Sequence, residues 1–345
     1  MYRVVGSVQR YDWGDTNYIP QLLGVQPDNT PWAELWFGTH PGAPSLVETP
    51  EGRIPLSDIA GELDVLVKIL AAAKPLSLQT HPTREQAIAG FRNENMSGIA
   101  LNSPLRAYRD ESDKPELIVA LTEFHALCGF APIDTSVVLL HAMGWENEAR
   151  YLAQHGIRAY LEWVYVNDLN CDFAGAPSWL ADIAQLYPND HSLKVAPLLH
   201  HVVLAPGEAL ALPAGNLHVY LRGAGLEIMN SSDNVLRAGF TSKHVDVSEL
   251  LRVVDCTPLD EPVVRATIDG NVGTYRCPTD AFSVQRIQLD STHTLLPTNT
   301  HRIVVITEGS TDSLRTGDAA LVPAHETVEL RGSATVWVCA GKRTS

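Results

Sequence analysis

Positive charge is scarce in this chain: 25 lysines and arginines stand against 40 aspartates and glutamates, a net charge of −15. That balance excludes nucleic acid or an anionic membrane as the main partner. It leaves room for an anionic small molecule, because a local cluster of Lys and Arg can oppose the global sign. Cysteines are few and odd in number: Cys128, Cys171, Cys256, Cys277 and Cys339, widely spaced and without a C-x2-C pair. This excludes a disulfide framework and a cysteine zinc site, and predicts reduced thiols in a cytoplasmic protein. No uninterrupted apolar run approaches the roughly 18 residues that span a bilayer. The first residues, Met1-Tyr2-Arg3-Val4-Val5-Gly6, lack the apolar segment of a secretory signal, so neither export nor a membrane span is expected.

The chain does have 45% hydrophobic residues, 22 prolines and 24 glycines. It can build sizeable cores, and the Gly and Pro content favours short strands and turns over long helices. Its 345 residues suggest two or three domains. Residues 1–56 read as short strands with Pro-, Gly- and Asp-rich turns, with Trp13, Trp32 and Trp36 as core or wall residues. Ser57 to Glu62 reads as a short helical turn. Val65 to Leu70 is an apolar strand broken by Lys68, an ammonium that needs a partner or an exit to solvent. Thr83 and Gln86 have capping-box spacing, predicting a short helix ending near Phe91 and then a polar loop to Ser112.

From Pro132 to Asp190 the spacing turns helical: Val137, Leu140 and Met143, then Tyr151 and Leu152, then Trp179 to Tyr187. His141, His155 and His191 in this stretch lack metal-ligand spacing such as H-E-x2-H and read as surface or packing residues. Strands resume at Leu198 to Leu204, where the adjacent His200 and His201 must face opposite ways.

The chemistry gathers around Lys74-Pro75-Leu76-Ser77-Leu78-Gln79-Thr80-His81-Pro82. Read with period two, one face carries Leu76, Leu78 and Thr80; the other carries Ser77, Gln79 and His81. A hydroxyl, an amide and an imidazole in a row need partners, and a metal would supply one. Lys114 and Glu116 likewise share a face in the strand that follows Asp113. Gly207 to His218 fits G-x5-P-x-G-x2-H, the second motif of the cupin superfamily, at every specified position through His218. The family's usual Asn four residues later is Arg222 here.

With these residues and Tyr11-Asp12-Trp13-Gly14, Ala33 to Pro41, and Ser232 to Gly239, the chain resembles the type I mannose-6-phosphate isomerases. The resemblance runs from about residue 9 to residue 246; it says little about residues 130–195. It implies a mainly β fold of two cupin (jelly-roll) barrels; the helical spacing from Pro132 to Asp190 reads as a helical insertion between the halves of the catalytic barrel. The corresponding boundaries are 1–131 and 195–255 for the catalytic barrel, 132–194 for the insertion, and 256–345 for a metal-free cupin-like β domain. Gly317 to Ala324 repeats the G-x5-P-A frame of Gly207 to Ala214, but Val328 stands where the register places His218, so this second copy keeps the turn and lacks the ligand.

The resemblance further implies one Zn²⁺ held by Gln79, His81, Glu116 and His218. With one carboxylate against a doubly charged ion, that set keeps a net positive charge. It implies catalytic work for Arg237, Glu227, Lys243 and Lys114, substrate binding by Ser77 and Lys68, and interconversion of mannose 6-phosphate with fructose 6-phosphate through an enediol(ate). The partner is then a small sugar phosphate, and nothing in the sequence calls for an obligatory protein partner. Thr241-Ser242-Lys243-His244 departs from the family's usual Thr-Pro-Lys-Tyr. Two other readings compete: a 2-His-1-carboxylate iron dioxygenase of cupin type, against which Gln79 and the nearby cations speak, and a non-enzymatic sugar-binding cupin, which has no use for Glu227, Arg237 and Lys243.

Overall fold

A computed structural model describes residues 1–167 and 172–342. It is mainly β, and its 21 strands, among the described residues, form two antiparallel assemblies of 11 and 10 strands. The first is built largely from residues 7–265. The second, built largely from residues 267–341, also takes in Tyr2–Val5, Leu46–Thr49 and Gly52–Pro55. Tyr2–Val5 crosses over by pairing with Ala319–Val322. One apolar core lies between the assemblies, with Val67, Ile69, Leu226 and Ile228 from one and Ile303, Leu321 and Trp337 from the other.

Period two decides which side chains reach that core. In Val65–Ala72, Val67, Ile69 and Ala71 face the shared core, while Leu66, Lys68 and Leu70 face the inside of the first assembly. His218–Asn230 is one continuous strand of 13 residues. Its first residues pair with Leu78–Thr80 and Phe124–Phe130; its last pair with Val65–Ala72 and Glu116–Ala120. A register shift between Tyr220 and Arg222 turns the corner. Gly223 lies just beyond it at φ 112°, where a Cβ would meet the Glu123 carbonyl at 2.5 Å. This one strand therefore carries His218, Tyr220 and Glu227 along the inside of the assembly.

Helices occupy the stretch with helical spacing: Ile133–Ala142, Glu146–Val166 and Ser178–Leu186. Gly156, at φ 76°, breaks the second. Their apolar faces cover Leu78, Leu127, Leu217 and Val219, the outward partners of the inward-facing Gln79 and His218. The helix capped by Thr83 and Gln86 runs over Arg84–Met96, past the expected end near Phe91. Tertiary contacts extend it. The Glu94 carboxylate accepts the Ala107 and Tyr108 amides at 2.9 Å each, and Arg106 donates to Asn95 Oδ1 at 2.7 Å. The 97–112 loop is thus fastened to a polar last turn that sequence periodicity cannot see. His200 and His201 face opposite ways as expected: His200 donates to the Leu259 carbonyl and His201 stacks on Trp179. Cys128, Cys256, Cys277 and Cys339 are free thiols, and Cys171 lies outside the described residues. Among the described residues no helix is long and apolar enough to cross a membrane.

The second assembly repeats the pairing of the first. Val328 pairs with Leu295 as His218 pairs with Gln79. Arg302 pairs with Ala340 and Val322 as Glu116 pairs with Met229 and Leu212. The carboxylate position is thus filled by a buried guanidinium, which donates to the carbonyls of Leu296 at 2.7 Å and Glu326 at 3.0 Å.

Candidate active site

His81 directly follows the Leu78–Thr80 strand, and Glu116 and His218 open the strands Glu116–Ala120 and His218–Asn230; all three are buried, and one ligand atom from each lies within 4.8 Å of the others. Their hydrogen bonds fix the tautomers. His81 Nδ1–H donates to the Asn234 carbonyl at 2.7 Å, and His218 Nδ1–H to the Asn216 carbonyl at 3.1 Å. Both Nε2 lone pairs therefore point at Glu116, at 3.3 and 3.5 Å. His81 Nε2, His218 Nε2 and Glu116 Oε2 have no hydrogen-bond partner although they are buried. Buried polar atoms left unpaired are costly, and a cation among them satisfies all three at once. Two nitrogens and one carboxylate suit a divalent metal of the zinc type.

Electrostatics favours the ligating forms. Burial, with the Lys114 ammonium close by, pushes the His81 imidazole down to about 4, so it is neutral at neutral pH. Burial alone would raise Glu116, but the Lys114 ammonium at 3.0 Å opposes it and the carboxyl is held well below its usual range. Gln79 sits directly across the ladder from both His218 and Arg237. Its Oε1 accepts from Ser77 Oγ at 3.1 Å and keeps a second lone pair for a cation.

A second buried group continues along the same wall. Lys68 Nζ lies 3.1 Å from Glu227 and 3.7 Å from Glu34. The Glu34 carboxylate accepts Trp36 Nε1–H at 2.6 Å, and the ammonium sits 5.3 Å from the Trp36 ring. Tyr220 O–H donates to Glu227 Oε1 at 2.8 Å, and the Tyr220 ring is 5.9 Å from His218. Glu227 is thus one phenol away from a candidate ligand. Burial raises the Glu227 pKa; Lys68 pulls it down, Glu116 and Glu34 push it up, and the net shift is upward. Burial works against the charge on Lys68, but Glu34, Glu227 and Glu116 prevail and raise its pKa.

Arg237 and Lys243 stand at the rim. Arg237 is half-buried and lines a small cleft against Pro104–Ala107 with His244 and Asp246; Lys243 is exposed on the following loop. Burial and then Arg109 lower the Arg237 pKa; burial, then Arg237 and Arg109, lower that of Lys243. The loop before Arg237 is pinned. Asn234 Nδ2 donates to the carbonyls of Asp110 and Ser112 at 2.9 and 2.8 Å, and Ser232 O–H to Asp110 at 2.8 Å.

All ten site residues expected from the sequence therefore fall in this one region. Sequence reasoning missed Tyr220, His40, Asp233 and Arg109. Tyr220 had a signal, two residues after His218 on the same strand face. His40 and Asp233 lie inside quoted motifs, and only the fold sets His40 Nε2 3.4 Å from Asp233. Arg109 had no signal, being one polar residue in a polar loop.

Residues 1–133 match the family model for the phosphomannose isomerase type I catalytic domain. The mannose-6-phosphate isomerases of Shigella flexneri and Escherichia coli are each 32% identical over 373 residues, covering 94% of this chain and 95% of theirs. A crystal structure of the Salmonella typhimurium mannose 6-phosphate isomerase, bound to its substrate f6p and zinc, superimposes with a TM-score of 0.89 at 29% identity over 99% of each chain. With this likeness along nearly its whole length, the chain belongs to the type I phosphomannose isomerase family.

Proposed function

We propose that the chain is a zinc-dependent aldose–ketose isomerase that interconverts mannose 6-phosphate and fructose 6-phosphate through an enediol(ate). The observation that carries this reading is the pair of bare Nε2 atoms aimed at Glu116 in a buried site, with Gln79 beside them. His81, Glu116, His218 and Gln79 hold the zinc. A bound zinc supplies a Lewis acid that polarises sugar oxygens and offsets the negative charge that develops on them.

The remaining work belongs to side chains. Glu227 carries the proton between C1 and C2; its raised pKa brings it closer to the range in which a carboxyl group both takes and returns a proton. Lys68 and Tyr220 hold it in place from opposite oxygens. Lys114 binds a substrate oxygen beside the metal, and Ser77 orients Gln79 and contacts the sugar. Arg237 and Lys243 face the phosphate, where a planar guanidinium makes paired hydrogen bonds. The matching registers of the two assemblies support two jelly-roll barrels of cupin type, the catalytic one interrupted by residues 132–194. The amino-terminal strand and the 46–55 hairpin then lend edge strands to the metal-free barrel. Free thiols support a cytoplasmic setting.

A coupled assay on mannose 6-phosphate tests the proposal with metal-replete protein, chelated protein and Arg237→Ala side by side. Turnover is expected in the first alone, returning to the chelated protein with Zn²⁺. Folded, zinc-loaded protein without turnover would refute the isomerase reading.

A further inference from the structure

The acidic chain gathers three cations without an ion-pair partner near one another. Among the described residues, Arg109, Arg237 and Lys243 have no carboxylate at ion-pair distance, in a protein with 40 acids and 25 bases. They come from two segments, Arg109 from one loop and Arg237 with Lys243 from a strand and the loop after it, and hydrogen bonds hold the two segments together. The Arg109 amide donates to Asn234 Oδ1 at 2.7 Å, three residues before Arg237. The same Asn234 amide group ties down Asp110 and Ser112, so the Arg109 loop cannot drift from the Arg237 loop. Each of the three cations is close enough to one or both of the others for their charges to oppose one another. The acids nearby are committed elsewhere. Asp246 caps a helix by accepting the Glu249 amide at 3.0 Å; Asp233 pairs with His40 and feels the Arg109 charge only from beyond ion-pair distance. Arg237 lies across the ladder from Gln79, so the group borders the metal end of the site rather than opening on unrelated surface.

Three mutually repelling cations are held together at a cost that a bound dianion removes. We propose that Arg109 is a third phosphate-binding residue, joining Arg237 and Lys243, and that it sets the preference for a dianionic phosphate ester over a neutral sugar. This rests on the isomerase reading and adds to it a residue from a loop that carries none of the metal ligands. Arg109 meets substrate at the phosphate, far from the reacting carbons. Its loss therefore weakens ground state and transition state alike.

The test uses the full zinc-loaded chain as wild type, Arg109→Gln and Arg109→Lys, with zinc content and thermal midpoint recorded for each. For Arg109→Gln, KM for mannose 6-phosphate is expected to rise roughly 10- to 100-fold, with kcat changed by less than about threefold. The inhibition constant of inorganic phosphate should rise in parallel, and Arg109→Lys should recover most of both losses because it keeps the charge. A KM and a phosphate inhibition constant within twofold of wild type overturn the proposal and leave the isomerase reading standing. A fall in kcat with KM unchanged and no recovery by Lys also overturns it, since that pattern marks a loop-positioning role. If the wild type itself shows no turnover, the isomerase reading fails instead. Calorimetric titration of inorganic phosphate then decides the site: tenfold weaker binding to Arg109→Gln supports it and equal binding overturns it.

Discussion

Replacing Lys68 with methionine separates packing from charge, because the stem is kept and the ammonium is lost. In the native chain this ammonium stands between two buried carboxylates, 3.1 Å from Glu227 and 3.7 Å from Glu34. At an effective dielectric constant of about 20, each attraction is roughly 5 kcal/mol before the cost of dehydrating the ammonium is subtracted. That cost disappears in the variant, but Glu227 and Glu34 are left as buried like charges. Breaking a buried pair from one side costs about 3–5 kcal/mol, and Lys68→Met is expected to lose that much at pH 8. The deficit should depend on pH with a definite sign. Burial already raises Glu227 above its ordinary 4.5, and without Lys68 it rises further. A carboxyl whose folded pKa is raised favours the folded state most below its unfolded pKa, and that contribution fades as pH climbs through the folded value. The loss should therefore be smaller at pH 5 than at pH 8. Guanidinium denaturation at both pH values, with Glu227→Gln added in a double variant, reads this directly. The double variant should recover at least about 1 kcal/mol at pH 8, because one buried charge has gone. A deficit below about 1 kcal/mol, or one equal at the two pH values, would refute the shared-ammonium account.

Other outcomes follow from the same contacts. Tyr220→Phe removes the hydroxyl that donates to Glu227 at 2.8 Å. The carboxyl should then titrate roughly 0.5–1 pH unit higher, visible as a shift in the acid limb of kcat/KM; an unmoved limb would remove Glu227 from the proton-transfer step. Arg302→Met leaves the Leu296 and Glu326 carbonyls without their donor and should cost about 2–4 kcal/mol in denaturant melts. Zinc content and kcat/KM should stay within twofold of wild type, and loss of bound zinc would contradict the placement of Arg302 in the metal-free assembly. In chelated protein, His81 has a folded pKa of about 4 against an ordinary 6.5. A depressed histidine contributes stability above its unfolded pKa and loses it as pH falls toward the folded value. Metal-free protein should therefore lose on the order of 3 kcal/mol between pH 6.5 and 4, and His81→Ala should flatten that slope in urea melts.

The candidate site was legible in the sequence where residue type and strand period coincide. Ser77, Gln79 and His81 share a face whatever they pack against, because successive strand residues point opposite ways. The Gly207 to His218 turn was legible through its Gly and Pro, which restrict the backbone locally. A solitary Lys68 in an apolar strand called for either a partner or an exit to solvent, without saying which. The partners were not legible. That Glu227 and Glu34 share Lys68 depends on the registers of three strands far apart in sequence, and register follows from packing. Arg109 was silent because loop position is set by hydrogen bonds to Asn234 that no periodicity encodes.

Local rules thus determined the short-range items by themselves: β class, helical spacing over residues 132–190, the capping box at Thr83, the turn before His218, and the face on which each ligand lies. These depend on backbone sterics and on alternation over a few residues. Only the tertiary structure decided that Tyr2–Val5 would join the distant second assembly, that His218–Asn230 would run unbroken around a corner, and that Arg302 would occupy the position equivalent to Glu116. It also decided which imidazole nitrogens are bare, since Asn234 and Asn216 take the other proton through contacts the chain makes only when folded.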